Sequence, residues 1–119
     1  MPPTRMRPEQ LQQRSVLFGV TVCRQLGQSR RHPVTAHVVG QLIRSATAPA
    51  AIYAEARAAE SRRDFVHKMQ IGLKELRESA VWLQFMKELS SDGSRCVVLS
   101  QECGELIAIF VASLKTARG

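Results

Sequence analysis

Aromatic residues are scarce in this chain, at 5% of 119 positions with a single Trp and a single Tyr, and it holds only seven Gly and five Pro. A β-sandwich or barrel would need more turn residues and more aromatic and β-branched strand residues, so the shortage points to helices. The three cysteines, Cys23, Cys96 and Cys103, are an odd, scattered set with no Cys-x-x-Cys pair. That pattern signals neither a disulfide framework nor a zinc ribbon nor a redox pair. No uninterrupted apolar run approaches the ~18 residues of a membrane span. The opening "MPPTRMRPEQ" is polar and lacks the apolar stretch of a secretory signal behind it. The expectation is a cytoplasmic protein with reduced thiols.

What the chain does have is charge of one sign and helical periodicity. Its formal net charge is +7, and thirteen of the seventeen basic residues are Arg, whose planar fork suits phosphate. A balance of that kind implies affinity for polyanions and says nothing about fold. Length fits one domain with one core.

Four helices are predicted, over roughly residues 8–28, 35–57, 61–89 and 100–116. Pro8 suits a first helical position, and Leu11, Ser15, Phe18, Val22 and Leu26 then recur at helical spacing. "SVLFGVTVC" also fits a strand, but length and the flanking period favour helix, which "GQSRRHP" ends. In the second segment Thr35 is a candidate N-cap, with Val34 and Val39 placed for a hydrophobic staple. The stripe Val39, Leu42, Ile43, Ala46, Ala50 and Tyr53 continues through Pro49. One helix kinked near Ser45 to Pro49 is expected, with two short helices as the alternative. Ser61 and Asp64 approximate a capping box for the third helix, whose core stripe is Phe65, Met69, Gly72, Leu76, Ala80 and Leu83. Asp64 and Lys68 have the i,i+4 order of an ion pair. Ser100 is the expected cap of the fourth helix, with Leu99, Cys103, Leu106, Ile107, Phe110 and Leu114 inward. Amphipathic helices with short connections make an all-α, antiparallel up-and-down four-helix bundle in a single domain spanning residues 1–119.

A second apolar face remains. On the third helix Ile71, Trp82, Phe85 and Leu89 lie away from the core stripe, and on the fourth "LIAIFVA" is apolar nearly all round, including Ile109 and Val111. A small bundle leaves about half of each helix in water. Concentration of the excess on two consecutive helices points to a contact with another copy of the chain.

Residues 53–83, "YAEARAAESRRDFVHKMQIGLKELRESAVWL", resemble the four-helix bundle family named for proteins encoded in 23S ribosomal RNA intervening sequences. The Glu-Ser-Arg-x-Asp-Phe turn and the Lys-Glu-Leu-Arg-Glu-Ser run are the specific parts. The match extends back through "VVGQLIRSATA" and, more weakly, forward to the last helix. The chain is also similar to the accessory protein of diversity-generating retroelements, a basic bundle that serves a reverse transcriptase and its RNA. The resemblance implies an up-and-down bundle, a ring-like homopentamer and no catalytic residues. Relatives place Asn just before the Tyr-Ala-Glu run, or in an equivalent Ile-Pro-Ser-Asn run, whereas Ile52 stands before Tyr53 here.

In such a bundle the N-terminus, the second connection and the C-terminus share one end. That end collects Arg5, Arg7, Arg57, Arg62, Arg63, His67, Lys115 and Arg118 against Glu9, Glu55, Glu60 and Asp64, and is the candidate nucleic-acid-binding surface. Arg30, Arg31, His32, Lys87 and Arg95 fall at the other end. Solvated helix ends are the plainer account of these charges, and the sequence displays no RNA-binding motif or aromatic stacking platform. Glu75 with Glu78, and Glu102 with Glu105, are spaced i,i+3, but no Glu-x-x-His accompanies them, so no metal is expected. Cys103 reads as core packing, and His67 as a phosphate contact or a structural histidine. Nothing places a base beside a thiol or hydroxyl, so neither catalysis nor a cofactor is expected. The functional expectation is a basic homo-oligomeric scaffold for RNA, a reverse transcriptase or another nucleoprotein partner. The competing class is a protein-interaction module whose charge serves solubility.

Overall fold

Four long helices account for nearly all of residues 6–119, which the computed structural model describes. They are α1 (Pro8–Leu26), α2 (Pro33–Arg57), α3 (Arg62–Leu89) and α4 (Ser94–Arg118), with a 3-10 turn, Gly27–Arg31, between the first two. Connections this short force antiparallel neighbours, giving the up-and-down bundle. At 1.5 Å per residue the 28 residues of α3 reach about 42 Å, which sets the 45 Å long axis of the molecule. α1 packs on α2, α2 on α3 and α3 on α4, while the α1–α4 seam is the thinnest.

The core follows the periodic stripes. Phe18, Val22, Val39, Leu42, Met69, Leu76, Leu83, Leu106 and Phe110 are essentially inaccessible. Three serines lie among them: Ser79 on α3 donates to Ser45 on α2 at 2.8 Å, which satisfies that pair in the apolar interior, whereas the Ser15 hydroxyl on α1 has no partner among the described residues. Cys103 is equally buried and donates to the Leu76 carbonyl at 3.2 Å. α2 continues as one helix through Pro49, whose ring is buried. The single helix is therefore what forms, and the two-helix alternative does not. Beside Pro49 the Gln12 amide donates across to the Ala50 carbonyl at 2.8 Å. Gly19 lets α1 approach α2 closely, since a Cβ there would stand 3.1 Å from the Ala46 carbonyl oxygen.

Several local expectations need correction. α2 begins at Pro33 with His32 as N-cap. Thr35 is already inside the helix, and its hydroxyl instead donates to the Ser29 carbonyl at 2.6 Å, tying down the 3-10 turn. The staple does not form, because Val34 is 72% exposed while Val39 is buried. α4 starts at Ser94, six residues before Ser100, where the Asp92 carboxylate accepts from the Ser94 N–H at 2.9 Å. At α3 the Ser61 cap does form, accepting from the Asp64 N–H at 3.0 Å. The Asp64 carboxylate accepts from the Glu60 N–H at 3.4 Å, one residue before the cap, so the reciprocal half of the box does not form, and Lys68 pairs with Glu55 at 2.9 Å rather than with Asp64. Among the described residues α4 alone has the length and mean hydropathy, 1.6, of a membrane span. Short polar interruptions at Gln101, Glu102 and Glu105 conceal that average when only unbroken runs are counted.

Candidate nucleic-acid interface

The end of the bundle that gathers the start of α1, the α2–α3 connection and the last turn of α4 carries Arg7, Arg57, Arg62, Arg63, Lys115 and Arg118, all exposed. His67, also exposed, lies one turn beyond Arg63 on the same face of α3. Arg5 lies outside the described residues. Arg62 and Arg63 occupy the first two positions of α3, where the helix dipole disfavours cations. Their charge adds to the partial positive charge of the helix end, so the positive field there is stronger than that of the side chains by themselves. Lys115 and Arg118 sit near the C-terminus of α4, where the dipole favours them. Of this group Arg57 has an acidic neighbour, Glu9 at 3.7 Å, an open and weak contact.

Four of the ten acids are engaged along the body. Arg14 on α1 bridges the thin seam to α4, meeting Glu102 and Glu105 at 2.7 Å each. Arg44 on α2 holds Glu75 at 3.1 Å and also grips Glu78 on α3. Glu78 accepts a further bond from the Trp82 indole N–H at 3.0 Å. That donor first, and Arg44 second, hold its carboxyl below the usual carboxylate range. The two i,i+3 pairs of glutamates are thus clamps between helices. Acids neutralise Arg14 and Arg44 along the body, where Arg77 on α3 is exposed and has no ion pair among the described residues, as is also true of Arg62 and Arg63 at the end.

Between the helix ends lies an open cleft of about 730 Å³. Leu11, Tyr53, Phe65 and Ile109 line its apolar side, and Ser61, Arg57, Arg62 and Thr116 its polar side. Tyr53 is 5% exposed, and burial raises its phenol above the ordinary value. The sequence reading placed Tyr53 and Phe65 on core stripes and not at this site, yet a signal for the site exists. Tyr53 precedes Arg57 by four residues and Phe65 follows Arg62 by three, so each aromatic shares a helix face with a cation. At the opposite end Arg95 donates to the Gln25 carbonyl at 3.2 Å, and Arg30, Arg31, His32 and Lys87 are exposed around it. That end is basic too, and a smaller cleft there, of about 230 Å³, is lined by Gln25, Leu26, Asp92 and Arg95 with no aromatic residue on its wall.

The apolar outer face is distributed differently from the expectation. Phe85 and Leu89 are 49% and 43% exposed. Trp82 is half-buried, its ring 5.4 Å from Phe85 and edge-on to His37 at 5.9 Å. Ile71 and Val111 are half-buried. Ile109 is a core residue, 2% exposed, and does not belong to an outer face. α4 is apolar around most of its circumference, so period could not separate its inner residues from its outer ones. Val81 on α3, Val16, Leu17 and Val20 on α1, and Val97 and Val98 at the start of α4 are exposed instead.

Burial pushes the Cys103 thiol up to about 12, with Glu102 adding to the shift, and also raises Cys96. Both thiols are held protonated and function as packing groups. No family model, curated protein or solved structure matches this chain.

Proposed function

We propose that the chain is a non-enzymatic, homo-oligomeric four-helix bundle that acts in the cytoplasm as a basic scaffold for RNA or a nucleoprotein partner. The observation that carries this reading is the gathering of exposed Arg57, Arg62, Arg63 and Arg118 at one end of the bundle. Of these, Arg62 and Arg63 stand without an ion pair among the described residues at a helix start that disfavours them. Cations placed against the helix dipole lower stability slightly, and an anionic partner supplies the compensating interaction. The resemblance to the 23S ribosomal RNA intervening-sequence family and to the retroelement accessory protein favours the same reading, with a ring-like pentamer as the assembly. A ring repeats the basic end in every subunit, which multiplies the field that phosphates meet.

A second reading, a protein-interaction module such as a reverse-transcriptase accessory protein, draws on the exposed Val81, Phe85 and Leu89 of α3. Salt separates the two. Binding to a labelled RNA should weaken steeply as salt rises, because each neutralised phosphate releases counterions. An apolar protein contact should hold. No RNA binding even at low salt would reject the first reading and favour the second.

A further inference from the structure

Phosphate binding by the arginines leaves the apolar side of the end cleft without a role. Phe65 packs its inner edge against the core and borders the cleft beside Arg62. Tyr53 lies beneath, nearly inaccessible, and Ser61 and Ser113 contribute hydroxyl groups. The volume, about 730 Å³, lies within the roughly 300–1,000 Å³ of pockets that hold small organic groups. Bases in a duplex are stacked and paired, so a duplex presents mainly its backbone to such a cleft. An unpaired base can turn out of its strand and stack on an aromatic side chain.

We propose that this cleft takes one unpaired base of an RNA strand, stacked against Phe65, with the adjoining phosphates on Arg57 and Arg62. The inference rests on the reading of the basic end as an RNA-binding surface. Arg62 has no ion pair among the described residues, and the Arg57–Glu9 contact at 3.7 Å is long enough for a phosphate to displace. The chemistry recognised is a flat base carrying a phosphate, which a free nucleotide also offers.

The test compares a single RNA strand of about ten nucleotides, carrying a fluorescent adenine analogue, with a blunt duplex of equal phosphate number at one salt concentration. Adenosine monophosphate is titrated alongside. Wild type is set against Phe65→Leu, which keeps an apolar group on the core but removes the ring, and Ser113→Met, which fills the cleft from α4 without changing charge. Wild type should quench the analogue and prefer the strand over the duplex by about tenfold, the scale of one base–aromatic stack. Both variants should lose most of that preference while binding duplex as wild type does. If Phe65→Leu fails to fold, Ser113→Met tests the same contact. Equal affinity for strand and duplex, or an unchanged preference in a folded variant, would overturn base insertion and leave the phosphate reading intact. Failure to bind either RNA would overturn both. Binding of the mononucleotide as tightly as the strand would overturn the assignment to a strand.

Discussion

Gly72 shows how tightly single positions are specified in this core. A Cβ at that position would stand 2.8 Å from Cε2 of Phe110, a ring that is itself fully buried and packed near Tyr53. Alanine improves helix propensity by about 1 kcal/mol over glycine, whereas overpacking a filled core costs about 1–3 kcal/mol. Gly72→Ala should therefore lower stability despite the better helix former, and urea unfolding measures the difference. The thiols give a second residue-scale outcome. Cys103 is raised to about 12 in the fold, above an unfolded value of about 8.5. Its stabilising contribution is complete below the unfolded pKa and is lost as pH rises from there towards the folded one. Near neutral pH only the exposed Cys23 should react quickly with a thiol reagent, and denaturant should release Cys96 and Cys103. Fast reaction of all three in the native protein would contradict their placement.

α2 raises the corresponding question for an element, because it carries a proline in its interior and remains one helix. Pro49 removes an N–H from the ladder, but its ring fills core space and its neighbour Ala50 accepts from Gln12 on α1. Pro49→Ala restores the missing bond and leaves the Ala50 carbonyl in place. The variant should fold and be no less stable, with a gain below the ~3 kcal/mol that proline costs in a straight helix. Thermal unfolding decides, and marked destabilisation would mean that the proline ring is needed to fill the core.

The elements were legible in the sequence wherever the signal was local. The Ser61 cap depends on two residues three apart, and the core stripes of α1 and α3 repeat at helical spacing, so both could be read directly. The start of α4 was read late, because Ser100 looks like a cap and the true signal, Asp92 two residues before Ser94, sits in a run of polar residues. Thr35 was misassigned because its hydroxyl serves the Ser29 carbonyl, a contact created by the 3-10 turn. Ile109 was misplaced because a helix apolar around most of its circumference offers no period to follow. The basic end was legible from topology, since helix count and short connections fix which termini meet. Its cleft was less so, because Tyr53 and Phe65 come from different helices and meet only once α2 and α3 are packed.

For the whole molecule, assembly and polyanion binding are the two proposals to test. If the outer face of α3 joins copies of the chain, Trp82→Glu with Phe85→Lys should yield smaller species with helicity retained. An unpaired charge buried at an apolar contact costs several kcal/mol, on the order of 3–5, more than a rim contact tolerates. Sedimentation reads the mass, and an unchanged mass would remove this face from the assembly.

The role proposed for the basic end can be tested without knowing the cognate RNA. Arg57, Arg62 and Arg63 are exposed, and Arg62 and Arg63 have no partner among the acids of the described residues. Their replacement should therefore leave the fold intact. The most direct measurement is a titration of labelled single-stranded RNA at several salt concentrations, wild type against Arg57→Gln, Arg62→Gln and Arg63→Gln combined, with assembly checked in parallel. Each phosphate contact on a single strand contributes about 0.7 to the slope of log affinity against log salt. The account predicts weaker binding and a flatter slope for the variant, by roughly 0.7 for each arginine that meets a phosphate. Equal affinities and equal slopes, with both proteins assembled alike, would contradict it.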